Sequence, residues 1–268
     1  MPRAIWSGAI SFGLVNIPVK IVSAVQQKEV HFNQIHEKDG GRIQMKRFCT
    51  AGDHEVPYEE IAKGYKIGGD EYVLIEKEEL EQLSPSKSET IDITDFVDML
   101  EVDPIYFEKP YYLVPDKGGA KAYRLLYEAM RKSGRVAIAR FVMRSREHLV
   151  VIRPVGKALA LTTLNYHDEI VDQKELELPT TSEAKTPERE IDMAEKLIDA
   201  LTATFDPEKY TDVHREQVLA LIEAKAEGRE VVAPPTPKPQ KTKDLADALE
   251  ASLAAVRKRG HGKEKAEA

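Results

Sequence analysis

Short apolar runs set apart by turn residues constrain this chain more than any other feature. Between residue 4 and about residue 180 the runs GLVNIPVKIV, EYVLI, YYLVP, RVAIARFVM and HLVVIRPV alternate with Gly, Pro, Asp and Ser punctuation. That reads as a succession of strands. Several short strands at such spacing favour a barrel or a sandwich. One helix interrupts them, because GGAKAYRLLYEAMRKSG sets Ala122, Leu125, Leu126, Ala129 and Met130 at helical spacing. Gly118 and Gly119 precede it, and Ser133-Gly134 closes it. The expected class is α+β: mainly a β-barrel core with an inserted helix, followed by a helical C-terminal arm.

That core is expected over residues 1–182 and the arm over 183–230. In the arm, Thr186 supplies an N-cap, Pro187 the first helical position and Glu188 an early acid. An apolar stripe then runs through Ile191, Ala194, Leu197, Ile198 and Leu201, and Phe205 lies near the helix end before Asp206-Pro207 breaks it. A second helix carries Val218, Leu221 and Ile222 and ends at Gly228. Residues 231–241 hold Pro234, Pro235, Pro237 and Pro239 and read as a semi-rigid linker. In the tail, 242–268, Leu245, Leu249, Leu253 and Val256 share one helical face, and Arg257, Lys258, Arg259, Lys263 and Lys265 crowd the end.

The chain has 268 residues, 42% hydrophobic and 32% charged, enough for one sizeable soluble core with appended segments. A single cysteine, Cys49, can form no internal disulfide and suits the cytoplasm. The N-terminal apolar run is interrupted by Ser7, Ser11, Asn16, Pro18 and Lys20, unlike a secretory leader. Nothing reaches the roughly 18 apolar residues of a membrane span, so no membrane partner is expected.

Catalytic and metal-binding patterns are lacking. His31 and His36 are five apart without a metalloprotease glutamate, and the other histidines are scattered. Gly118-Gly119-Ala120-Lys121 lacks the spacing of a phosphate-cradling loop and its hydroxyl residue. Neither a Gly-x-Ser-x-Gly elbow nor a dinucleotide glycine fingerprint occurs. The expectation is a protein with no catalytic residues, no metal and no cofactor.

Charge is more informative than motif. The net charge is -7, yet residues 67–108 hold 13 Asp/Glu against 2 Lys/Arg, and residues 109–163 hold 3 against 12. Segregation that sharp offers polyanions one repelling and one attracting surface. Within RVAIARFVMRSREHLVVIRP, strand alternation would put Ile138, Arg140, Val142 and Arg144 on one face and Ala139, Phe141 and Met143 on the other. Arg135 and Arg146 flank that run and Arg153 follows, so a hairpin could display a continuous guanidinium track. Planar guanidinium forks suit phosphate. On the residues alone two alternatives stay open, a phosphate track or solvated charges that pair with the acidic segment.

Several longer strings resemble the prokaryotic Ku proteins. They are AIWSGAISFGLVNIPVK at 4–20, HFNQIHEKDGGRI at 31–43, VPYEEIAKGY at 56–65, YYLVPDKGGAKAYRLL at 111–126, VAIARFVMRSREHL at 136–149 and FDPEKYTDVHREQVLALIEAK at 205–225. The resemblance implies a β-barrel core, two copies of which form a ring around double-stranded DNA ends without reading sequence. It implies no activity of its own, a role in non-homologous end joining, and recruitment of an ATP-dependent DNA repair ligase in the nucleoid. On that basis the DNA-binding candidates are Lys46, Arg47, Lys132, Arg135, Arg140, Arg144 and Arg146, with Arg257, Lys258, Arg259, Lys263 and Lys265 in the tail. The acidic segment would lie outside the ring, and the arm helices would pack across a two-fold axis in a homodimer. Where several relatives carry a Cys-x-x-Cys pair, this chain has Cys49 and Gly52, which puts a zinc site out of reach and makes Cys49 a buried apolar residue. The alternative is a β-barrel adaptor that joins proteins through its acidic and basic faces.

Overall fold

The computed structural model describes residues 3–83, 89–180, 186–228 and 245–264. In chain order the strands are β1 (Ala4–Phe12), β2 (Val15–Ser23), β3 (Lys63–Gly68), β4 (Glu71–Ile75), β5 (Thr90–Asp98), β6 (Phe107–Pro115), β7 (Arg135–Met143), β8 (Arg146–Val155) and β9 (Ala158–Leu164). The α-helices are α1 (Lys77–Leu83), α2 (Ala120–Ser133), α3 (Glu188–Leu201), α4 (Val213–Ala226) and α5 (Leu245–Glu264). They fall into two compact units, Met1–Lys28 with Phe32–Gln173, and Glu29–His31 with Lys174–Ala268. The expected boundary at 182–183 falls outside the described residues. Among the described residues, no helix is long and apolar enough to cross a membrane.

The first unit is a closed barrel in the order β1-β2-β6-β9-β8-β7-β5. Every pairing is antiparallel except the closing one, where β5 runs parallel to β1 through Ala9↔Thr90, Ile10↔Ile91 and Ser11↔Asp92. Strand alternation fills the interior with Ile10, Ile17, Val19, Ile21, Ile91, Leu113, Val150, Ile152, Leu159 and Leu161, all fully buried. Two-residue loops join the hairpins. Gly13-Leu14 lies between Phe12 and Val15, Arg144-Ser145 between Met143 and Arg146, and Gly156-Lys157 between Val155 and Ala158. Gly13 and Gly156 take the positive φ that such tight turns require.

Helix α2 covers the barrel with Tyr123, Leu126, Tyr127 and Met130. The Tyr123 hydroxyl donates to the Leu113 carbonyl at 2.8 Å and accepts from the Leu159 amide at 2.7 Å, pinning the helix across two strands. This corrects the expected helix face, since Leu125 is 70% exposed. The two tyrosines carry the buried stripe because each puts an apolar ring inside and satisfies its hydroxyl on a backbone carbonyl. Gly134 ends the helix in the left-handed conformation, as its position suggests.

Two strand expectations change. EYVLI forms β4, but it pairs only with β3 in a separate two-stranded sheet whose side chains are nearly all exposed. The strand that closes the barrel is β5, whose signal is diluted by Asp92, Asp95 and Asp98. A second apolar cluster lies on the outer face, where Val97, Met99, Val102, Tyr106 and Phe107 cover Val136, Ile138, Leu149, Val151 and Leu164.

In the second unit α3 starts one residue later than expected. Pro187 is itself the N-cap, in extended conformation and without a side-chain cap bond. The helix stops at Leu201, and Asp206 instead caps a following 3-10 turn. Phe205 stacks on Tyr210 at 5.7 Å. Asp212 caps α4 by accepting from the Arg215 amide at 2.9 Å, and Gly228 follows with φ 72°. Helix α5 packs on α3, with Arg189 and Glu250 3.6 Å apart. The proline-rich segment 231–241 lies outside the described residues.

Gly8 sits where β1 and β5 approach, and a methyl there would overlap the Glu89 carbonyl and the Trp6 ring. Gly8→Ala should therefore loosen the closing pair and cost about 1–3 kcal/mol, as overpacking typically does. Urea unfolding measures it, and an unchanged midpoint would show that the seam yields freely.

Candidate nucleic-acid interface

The β7–β8 hairpin organises the basic residues. Ala137, Ala139, Phe141 and Met143 point into the barrel, which leaves Ile138, Arg140 and Val142 facing outward. Arg144 does not continue that outward face. It and Ser145 form the turn itself, with φ 54° and 63°, the double left-handed geometry of a tight hairpin. Arg146 then opens β8 opposite Met143. The hairpin is held from inside, since Trp6 Nε1 donates to the Val142 carbonyl at 3.0 Å and the Trp6 ring meets Phe141 edge-on at 5.5 Å.

Arg140, Arg144 and Arg146 therefore gather at one hairpin end. Carboxylates accompany them. Arg140 Nη1 is 3.5 Å from Glu147, and Arg146 Nη2 donates to Glu169 at 3.3 Å. Tyr166 ties both acids down: its hydroxyl donates to Glu147 at 3.4 Å and its amide to Glu169 at 2.8 Å. Thr163 holds Glu108 at 3.0 Å. A small cavity of about 100 Å³ lies among Glu108, Arg146, Glu147, His148, Tyr166 and Glu169.

Proton affinities register this crowding. Burial raises the Tyr166 phenol, and Glu147 raises it further against the opposing pull of Arg140 and Arg146. Burial also raises Tyr111, helped by Glu108 and opposed by Arg144. For His148 burial favours the neutral ring, and Arg146 adds to that while Glu108 works against it.

The remaining candidates lie elsewhere. Lys132 occupies the last turn of α2 and Arg135 begins β7. Arg135 is five residues from Arg140, or about 17 Å along a strand. Between these positions the outer face is covered by the Val97–Phe107 apolar cluster, so the continuous guanidinium track is broken in two. Lys46 and Arg47 belong to the long segment between β2 and β3. Lys46 pairs with Glu55 at 2.8 Å, and Arg47 lies over the Tyr58 ring at 5.3 Å. Cys49, in the same segment, is half-buried rather than buried. Arg257, Lys258, Arg259 and Lys263 lie on the backbone of α5, while Lys265 is outside the described residues.

Pairing of β5 with β7 also changes the charge map. Asp92 stands opposite Arg140 and Asp98 opposite Arg135, at 3.8 Å in the second case. Part of the acidic segment is thus interleaved with the basic strand instead of lying apart from it. Arg131, one residue before Lys132, carries no signal in the sequence that would single it out. Together with Arg153 it sits near Arg135 around a groove at the far end of β7 from the hairpin.

Residues 11–193 match the family model described as the Ku70/Ku80 beta-barrel domain. The chain belongs to the Ku family. The Ku barrel closes here with the seven strands described above, and relatives align along nearly the whole chain. The protein called "Non-homologous end joining protein Ku" of Anaeromyxobacter sp. (strain K) is 54% identical, over 97% of this chain and 88% of the relative. The protein of the same name from Heliobacterium modesticaldum is 44% identical, over 95% and 92%. That of Archaeoglobus fulgidus is 42% identical, over 95% of this chain and the full relative.

His148 faces Phe141 on the inner side of the hairpin, their rings 5.7 Å apart. Its folded-state proton affinity is depressed, whereas in the unfolded chain the imidazole protonates near its ordinary value of about 6.5. Above that pH both states are neutral and stability is full. As pH falls below it, the unfolded state gains the proton first and stability drops. Urea unfolding at a series of pH values should show this loss for the wild type and a shallower one for His148→Gln. Parallel curves would remove His148 as the cause.

Proposed function

We propose that this chain binds double-stranded DNA ends without reading sequence, in non-homologous end joining, and that it does so as a homodimeric ring with no catalysis of its own. The observation that carries the reading is the gathering of Arg140, Arg144 and Arg146 at one hairpin end of a Ku-family barrel. Exposed guanidinium groups suit phosphate oxygens, and phosphate contacts carry no sequence information. The relatives' shared name supports the pathway. Dimerisation draws support from the arm, where Ile198 and Leu201 on α3 remain more than half exposed in a single chain. Such a stripe suits burial against a second copy. Lys46, Arg47, Lys132 and Arg135 extend the basic surface, and the tail cations Arg257, Lys258, Arg259, Lys263 and Lys265 reach phosphates outside it. The bound ends are then passed to an ATP-dependent DNA repair ligase.

Comparing linear with covalently closed duplex of equal length tests the reading. Only the linear form should be bound tightly, and the logarithm of affinity should fall with that of salt by about 0.9 per neutralised phosphate. Arg140→Ala, Arg144→Ala and Arg146→Ala combined should weaken binding and flatten the slope by roughly 0.9 for each phosphate left without its arginine. A protein that binds no duplex, yet captures proteins, would favour the adaptor with segregated charges.

The paired carboxylates yield a separate expectation. Glu147 and Glu169 compete with phosphate for Arg140 and Arg146. Glu147→Gln with Glu169→Gln keeps acceptors for Tyr166 and removes that competition. Binding should tighten severalfold and the salt slope steepen, because no carboxylate is left to recruit a cation when the arginine departs. Unchanged affinity in a salt titration would show that these pairs do not restrain the arginines.

A further inference from the structure

The end of β7 remote from the hairpin carries a different arrangement. A groove of about 220 Å³ lies between the last turn of α2, the start of β7 and the end of β8, and its lining includes Arg131, Arg135 and Arg153. Among the described residues, no carboxylate lines it. The Nε of Arg153 is buried without a hydrogen-bond partner. Arg131 and Arg153 make no ion pair among the described residues. Arg135 has only Asp98, at 3.8 Å, beyond hydrogen-bond distance. Met99, Met130 and Pro154 complete the walls, and apolar walls strengthen electrostatic interactions within the groove.

We propose that Arg131, Arg135 and Arg153 form a second phosphate-binding site. Among the described residues Arg131 and Arg153 face no acid and Arg135 only one beyond hydrogen-bond distance, so the three cations repel one another, and an anion in the groove relieves that repulsion. The negative end of α2 steadies these cations. Guanidinium forks from three different elements provide more donors than the two oxygens of one carboxylate can accept. A phosphate group, with its oxygens spread over a tetrahedron, matches them better. The contrast with the hairpin is chemical: there each of Arg140 and Arg146 has a carboxylate in place, whereas here Arg131 and Arg153 have none and Arg135 only Asp98 at 3.8 Å.

The phosphate can be free or belong to DNA. In the DNA case the proposal rests on the end-binding reading given above, and the source is either a terminal phosphate or the backbone.

The experiment starts with inorganic phosphate itself. Isothermal titration of the full chain at constant ionic strength should show binding that weakens at least tenfold in Arg131→Gln/Arg153→Gln. Arg131→Gln alone, an exposed helical change, should weaken it measurably and guards against a fold defect in the double variant. Wild type that binds phosphate no better than either variant overturns the site. Linear duplexes with 5′-phosphate and 5′-hydroxyl ends then distinguish the sources. A loss confined to the phosphorylated end assigns a terminal phosphate, an equal loss assigns the backbone, and no loss on either overturns a DNA source. The Arg140/Arg144/Arg146 triple variant is run beside them. If it leaves duplex binding intact while the phosphate response still depends on Arg131 and Arg153, the hairpin reading fails and the groove stands.

Discussion

Closure of the barrel rests on a short parallel seam between β1 and β5, three residue pairs long, to which the Ala9 amide adds a bond to the Glu89 carbonyl. Everything that positions charge depends on this seam. Strand β5 is the neighbour of β7, so the register that brings Ile91 inward also places Asp92 opposite Arg140 and Asp98 opposite Arg135. A one-residue slip would turn the isoleucine outward and Asp92 into the core. Gly8 permits the close approach, and Trp6 uses the same corner to hold the hairpin through Val142 and Phe141.

Barrel packing then divides the basic residues. Outward positions of β7 alternate with buried ones, and the middle of the outer face is taken by the apolar cover over Val136 and Val151. An apolar cluster of that kind gains free energy by excluding water, so charges are displaced to its two ends. At the hairpin end Tyr166 fixes two carboxylates against two arginines. At the other end no acid among the described residues lines the groove, and only Asp98, 3.8 Å from Arg135, approaches its arginines. The two ends therefore differ in readiness for an anion: at one, Arg140 and Arg146 must each give up a carboxylate, whereas at the other Arg131 and Arg153 have none to give up.

Much of the barrel was legible because its strands are short, rich in β-branched or aromatic residues and bounded by turn residues, as β2, β6, β7 and β8 illustrate. The strand β5 was hidden because its exposed half is acidic, and hydrophobic pattern alone does not recognise a strand whose outer face is charged. The apolar EYVLI run misled for the opposite reason, since a two-stranded sheet uses the same residues as a barrel. At the site, Arg140 was placed correctly by alternation, but the period fails at a turn. Nothing in Arg144-Ser145 announces a tight hairpin, because neither residue is the Gly or Asn that favours positive φ. The groove was only partly legible. Arg135 and Arg153 fall on one readable hairpin, but that Arg131 joins them depends on how α2 ends against β7 and β8.

Charge segregation along the sequence does not become charge segregation in space. The acidic segment contributes the barrel strand that flanks β7 on the side away from β8, so cross-strand Asp–Arg pairs neutralise part of the field that a linear count predicts. This reconciles a net charge of -7 with a basic function, because what a polyanion meets at close range is the local surplus left after pairing, and fields from more distant charges are screened within about 10 Å at ordinary salt. That surplus is small wherever a carboxylate reaches an arginine and large where none does. The positions that matter most for anion binding are consequently those that the ladder leaves without an acid, and they are found from the fold rather than from the count.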